Sequence, residues 1–284
     1  MEPLAINKFL NREDITIVKV AGSNRPVGIF DSGVGGLSIA KAIAHQLPNE
    51  HLVYVADSLY SPYGEKPVDF IQARVNKISD ILLSQQVKAL VIACNTATVN
   101  AIDQLRERIN LPIIGVEPAI KPAAQQSITK NVGILVTQAT AENQRFKNLI
   151  NQHKNDAQVH IQACPGLVEL IEANQINSEA CNILLKQFLT SLLAKNVDTL
   201  VLGCTHYPFL TEKIQNIVGS HMTLVESALP VSLQLTRKLN EQGLLNSSIE
   251  PSTHTFLSSN ANAQQEKLFN SLWQSPLTLL PLQE

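Results

Sequence analysis

Two cysteines stand at matching places in two similar stretches of the chain. The segment VKALVIACNT runs from Val87 to Thr96 and sets Cys94 at the end of an apolar run. The segment VDTLVLGCTH runs from Val197 to His206 and does the same for Cys204. The two align without a gap, 110 residues apart. A thiolate can take a proton from carbon, and a thiol can return one. Two sulfurs on opposite faces of one carbon can therefore invert it. That chemistry needs one thiol deprotonated and the other protonated at the start, so each needs a proton partner. Asp31 and His206 are the natural partners, one from each half, and Glu172 is the candidate to orient His206. Each cysteine precedes a helical pattern, and a cysteine at a helix N-terminus is more easily made thiolate.

Strand ends must position these groups. Val27–Phe30 is a short apolar run that stops at Asp31-Ser32 and a glycine-rich turn; Leu52–Ala56 stops at Asp57-Ser58; Ala89–Ala93 stops at Cys94. Between them, apolar residues recur at helical spacing, as in Ile71, Val75, Ile78 and Leu82. The second half repeats the order: Val132–Val136 leads to Thr137, Val159–Ala163 to Cys164, and the strand before Cys204 follows. Strands alternating with helices predict parallel sheets flanked by helices. Duplication predicts two similar α/β lobes related by a pseudo-twofold axis, with the active site in the cleft between them. In open parallel sheets ligands gather at the carboxyl ends of strands, where these polar motifs lie. Helix starts there offer N–H groups that can cradle carboxylates. The expected division is an N-terminal extension over 1–26 with one short helix, a first lobe over 27–122, a second over 123–226, and a helical and strand tail over 227–284. Lobes of this kind can exchange segments.

Composition narrows the field. The 284 residues are 44% hydrophobic, enough for two cores, and the formal net charge of −2 with scattered Lys and Arg argues against a nucleic-acid partner. The apolar runs are far shorter than the roughly 20 residues that a membrane-spanning helix requires. Charges at Glu2, Lys8, Arg12, Glu13 and Asp14 argue against a secretory leader. Four cysteines without a C-x-x-C pair make neither a disulfide framework nor a zinc site, so free thiols, no metal and a cytoplasmic setting are expected. The turn after Asp31 matches neither G-x-G-x-x-G nor the phosphate-binding P-loop.

Four motifs together resemble the glutamate racemases of the cofactor-independent aspartate/glutamate racemase family. They are DSGVGGL from Asp31 to Leu37, Pro62-Tyr63-Gly64, IACNTA from Ile92 to Ala97, and LGCTHYP from Leu202 to Pro208. The likeness runs from about Val27 to Val225. It implies interconversion of L- and D-glutamate for peptidoglycan synthesis, without metal or pyridoxal phosphate. It implies that Cys94 takes the proton from D-glutamate and Cys204 from L-glutamate. Asp31, Ser32, Tyr63, Gly64, Asn95, Thr96, Thr205 and His206 would hold the substrate, and Thr137 and Thr140 match two further family threonines near the carboxylates. Glu226-Ser227-Ala228 and Ser259-Asn260 depart from the Asp-Ser-Gly and Thr-Gly of many relatives. Glu117–Pro122 and the extension resemble the subgroup activated by a UDP-linked muramyl peptidoglycan precursor. A homodimer is expected, since family members dimerise.

Plainer readings exist for single residues. A lone cysteine at a strand end is usually core, the reading given to Cys164 and Cys181. Asp31, Thr137 and Thr140 could be helix caps, and Tyr63-Gly64 an ordinary turn. Competing functions are an aspartate racemase, a magnesium-dependent enzyme using Asp31 as nucleophile, and a non-catalytic amino-acid clamp.

Overall fold

A computed structural model describes residues 23–249 and 251–283. Most of the N-terminal extension, with its expected helix, lies outside the described residues.

The first half forms β1 (Val27–Asp31), α1 (Leu37–Gln46), β2 (Leu52–Ala56), α2 (Val68–Ser84), β3 (Ala89–Ile92), α3 (Asn95–Arg108) and β4 (Ile113–Gly115). The second forms α4 (Ile120–Gln126), β5 (Asn131–Val136), α5 (Gln138–Glu142), α6 (Gln144–His153), β6 (Gln158–Ala163), α7 (Leu167–Glu172), α8 (Glu179–Leu193), β7 (Thr199–Leu202), α9 (Thr211–Val218) and β8 (Thr223–Val225). The tail adds α10 (Ala228–Glu241), β9 (His254–Ser258), α11 (Ala263–Trp273) and β10 (Leu279–Pro281).

All strand pairs among the described residues are parallel. The order β2-β1-β3-β4 in one sheet is repeated as β6-β5-β7-β8 in the other. The register repeats too: Val27 of β1 faces Ala89 of β3, and Val132 of β5 faces Thr199 of β7. The duplication seen around the cysteines thus extends to strand order and pairing. It sets β3 and β7, the strands that lead to Cys94 and Cys204, at equivalent inner positions.

The tail is not a separate unit. β9 pairs with β2 and β10 with β9, giving a first sheet of order β10-β9-β2-β1-β3-β4. Without them β2 would present a bare edge of unpaired N–H and C=O groups. The spacing of Leu268 and Leu272 shows a helical face but not the sheet it covers. The boundary between the lobes also falls slightly earlier than expected. Ile120, Ala123 and Ala124 of α4 are buried against Val132, Ile134 and Val201 of the second sheet.

Alternation along the strands separates the cores. Val27, Ile29, Ala89 and Val91 face one side of the first sheet, toward α1, α10 and α11; Phe30, Leu90 and Ile92 face the other, toward α2 and α3. The first of these cores runs on without a break into one face of the second sheet, through Leu135, Leu200 and Leu202. Each fully buried side chain of this size contributes about 1.5–3 kcal/mol. The continuous core holds the lobes together behind the cleft.

Candidate active site

Cys94 follows β3 by two residues and is the N-cap of α3, where its Sγ accepts a hydrogen bond from Ala97 N at 3.4 Å. Its thiol donates toward Ser32 Oγ at 3.5 Å. Cys204 follows β7 by two residues and lies 3.7 Å from His206 Nδ1. His206 Nε2 in turn lies 2.6 Å from Glu172 Oε1 on α7. Both thiols are buried, 5% and 6% exposed, and close enough that charge on Cys204 raises the pKa of Cys94.

The two lobes interlock here. Thr205 Oγ1 donates to Asp31 Oδ2 at 3.1 Å, while Gly33 N donates to Asp31 Oδ1 at 2.8 Å. Val34 N donates to Glu172 Oε1 at 2.8 Å, and Ser61 Oγ approaches the same oxygen at 3.4 Å. The approach is close enough to demand glycine. A Cβ at Gly33 would stand 1.7 Å from Glu172 Oε1, and one at Gly35 would stand 2.4 Å from His206 Nδ1. On the other side Thr96 Oγ1 lies 3.0 Å from Thr137 Oγ1 and 3.4 Å from Thr140 Oγ1. Thr137 also caps α5, accepting from Thr140 N at 3.3 Å, so the capping reading and the cleft position hold together.

Electrostatics differ between the halves. Burial raises Cys94, and the Asp31 carboxylate raises it further; bonds from Ser32 and Ala97 lower it only in part, leaving the thiol pushed up to about 12. A helix start was expected to favour the thiolate, but here desolvation outweighs it. Asp31 is itself raised by burial, against the opposing charge of His206 and the hydrogen bond from Gly33. For His206, burial alone would lower the pKa. Hydrogen bonds and charge from Cys204 and Glu172 outweigh it and hold the ring well above its ordinary 6.5. With sulfur at one nitrogen and a carboxylate at the other, the imidazolium can donate to both.

The structure thus brings together Asp31, Ser32, Cys94, Thr96, Thr137, Thr140, Glu172, Cys204, Thr205 and His206. Asn95 is 3% exposed, and its Nδ2 has no hydrogen-bond partner among the described residues. Gly64 meets Thr137 across the cleft, where a Cβ would come within 2.8 Å of the Thr137 Cβ. Tyr63 differs from the simplest expectation. Its phenol donates to Asp57 Oδ2 at 2.5 Å, and its ring is buried in the same core as Cys94, while the backbone of the next residue, Gly64, meets Thr137. Cys181 is core. Cys164 is buried too, but it also lines a small cavity with Gly64, Thr137 and Glu169 at the edge of the cleft. Sequence reasoning passed over Arg74, although it sits on the apolar stripe of α2 between Ile71 and Ile78. A charged residue on a buried stripe is the signal that could have marked it. Among the described residues no group of three or more His, Cys, Asp or Glu could hold a metal ion.

The chain belongs to the Asp/Glu/Hydantoin racemase family, whose model matches residues 35–229. It is accordingly a racemase-type isomerase. It is 42% identical over 258 residues to the glutamate racemase of Pseudomonas aeruginosa, covering 90% of this chain and 97% of that one. Among solved structures it is similar to Francisella tularensis glutamate racemase in complex with D-glutamate, with TM-score 0.81, 30% identity, and coverage of 92% of this chain and 98% of that one. It is also similar to Escherichia coli glutamate racemase in complex with L-glutamate and the activator UDP-MurNAc-Ala, with TM-score 0.80, 32% identity, and coverage of 91% and 98%.

Proposed function

We propose that the protein interconverts L- and D-glutamate by a two-base mechanism that uses Cys94 and Cys204. The observation that carries this is the separate proton partner given to each thiol: Asp31 beside Cys94, and His206 held by Glu172 beside Cys204. Cys204 as thiolate, stabilised by the His206 imidazolium, takes the α-proton of L-glutamate. Cys94, whose thiol keeps its proton, delivers one to the opposite face. In the reverse direction Asp31 accepts the Cys94 proton, a task suited to a carboxylate whose affinity for protons is raised. A buried amide donor without a partner costs about 1–3 kcal/mol. The Asn95 Nδ2 would recover that cost on meeting a substrate carboxylate. Ser32, Thr96, Thr137, Thr140, Thr205 and the Tyr63-Gly64 backbone complete the expected substrate contacts.

The product D-glutamate would supply peptidoglycan synthesis in the cytoplasm, and the enzyme would work as a homodimer. No helix among the described residues is long and apolar enough to cross a membrane. Activation by a UDP-linked muramyl precursor is extended to this chain because Glu117–Pro122 lies where the lobes join. There Glu117 O accepts from Ser227 Oγ at 2.8 Å, and the Glu117 carboxylate pairs with Arg145 of α6 at 2.9 Å. An unchanged rate on adding such a precursor would remove the activation claim.

The deciding experiment is incubation with D- or L-glutamate in deuterated water with chelator present, following the α-proton and the optical rotation. Exchange with inversion is expected. Cys94→Ala and Cys204→Ala should each lower racemisation about 10³-fold. A single variant racemising at the wild-type rate would refute the two-base scheme. Dependence on magnesium would point instead to the Asp31-nucleophile alternative.

A further inference from the structure

Asp57 leaves the end of β2 with its backbone N–H bonded to Asp31 O at 3.0 Å. Its carboxylate is wholly buried, and both of its oxygens are bonded. Arg74 of α2 donates to it through two nitrogens, Nε to Oδ2 at 2.8 Å and Nη2 to Oδ1 at 2.7 Å. The Tyr63 phenol takes the remaining approach to Oδ2 at 2.5 Å. Arg74 is 7% exposed, Tyr63 1% and Asp57 0%. The guanidinium also lies 4.1 Å from the centroid of the Tyr60 ring, and the Tyr63 ring packs on Phe30.

Desolvating an ion pair is costly, and apolar replacements of similar volume are often as stable. Packing alone therefore does not explain why a forked Arg–carboxylate pair sits under this turn. Its connections suggest what it does. The phenol that it fixes belongs to the same 3₁₀ turn, Tyr63–Glu65, whose Gly64 presses against Thr137 of the second lobe. Thr137 is bonded to Thr96, two residues from Cys94. One path of contacts thus leads from Arg74 through Asp57 and Tyr63 to the lip of the cleft. The same Asp57 is tied through its N–H to the residue that partners Cys94.

We infer that Asp57 and Arg74 are positioning residues that set the height of the Tyr63-Gly64 backbone at the cleft and, through it, the affinity for the substrate's carboxylate. The affinity part rests on the glutamate reading above; the positioning part does not. An interaction made equally with substrate and transition state raises KM when lost and leaves kcat alone.

Three variants test this: Tyr63→Phe, Arg74→Lys and Arg74→Gln, each measured by steady-state racemisation and by amide hydrogen exchange. Tyr63→Phe should raise KM for both enantiomers about tenfold, the usual loss for one hydrogen bond to a charged group. Its kcat should stay within about twofold. Exchange at Tyr63–Lys66 should quicken while β1 and β3 keep their protection. Arg74→Lys, which keeps the charge but not the fork, should raise KM less than Arg74→Gln. Unchanged KM and unchanged exchange in Tyr63→Phe would overturn the inference, as would protection lost equally across β1 and β3. If the wild type fails to racemise glutamate, the function falls, and the exchange data alone decide the positioning claim. Should Arg74→Gln not fold, Tyr63→Phe, which leaves the ion pair in place, decides it.

Discussion

Glu172 shows how much one side chain carries in this molecule. It receives His206 Nε2, Val34 N and Ser61 Oγ, joining the second lobe's α7 to the first lobe's glycine turn. Its negative charge helps hold His206 protonated above 6.5. Replacing it with glutamine should therefore let His206 lose its proton at lower pH. The alkaline limb of the rate from L-glutamate, in which Cys204 is the base, should move toward acid, while the rate from D-glutamate shifts less. Stability should follow the same sign. A histidine raised on folding contributes stability that is fully present below 6.5 and is lost as pH rises through the folded value. Thermal midpoints measured from pH 6 upward should fall for wild type and fall less steeply for Glu172→Gln. The glycines opposite are equally constrained. Gly35→Ala would push a Cβ into His206, and a displacement of that size should lower activity about 10²-fold. Circular dichroism should still show a folded chain.

Among the elements, the strands and the residues at their ends were the legible part. A run of Val, Leu and Ile stopping at a polar residue fixes both a strand and the point where its chain meets the cleft, so Asp31, Cys94, Thr137 and Cys204 could be placed from sequence. Their partners were harder. The pairing of Glu172 with His206 spans 34 residues, with α8 and β7 between them, and nothing in the local pattern separates it from Glu169 one turn away. The tail was harder still. β9 and β10 are short and lie far from β2 in sequence, so periodicity reveals the strands but not the sheet that accepts them. Burial of charge is likewise invisible in a one-dimensional pattern. Lys88, one residue before β3, looks like a surface lysine, but its side chain is 0% exposed and pairs with Glu50 at 2.6 Å. It also donates to Ser23 O at 2.5 Å and Leu244 O at 2.8 Å, pinning the chain before β1 and the loop after α10 to the same edge. Lys88→Met would leave Glu50 buried without its cation and should cost about 3–5 kcal/mol in denaturant unfolding. Changing Glu50 to glutamine as well should recover much of that loss.

At the scale of the whole molecule, the two sheets share a strand order but not a history of assembly. The second sheet takes its four strands from one unbroken stretch ending at Val225. The first takes β2 from near the beginning of the chain and its neighbour β9 from near the end. A nascent chain emerges N-terminus first, at about 5–20 residues per second. On the ribosome the lobe begun second is therefore the first to have all its strands. The lobe begun first waits, with one flank of β2 uncovered, until β9 is made at His254–Ser258, and its sheet is complete only with β10 at Pro281. Nascent chains arrested once β8 has emerged from the ribosome, but before β9 has, should resist protease over the later-encoded half and be cut in the earlier one.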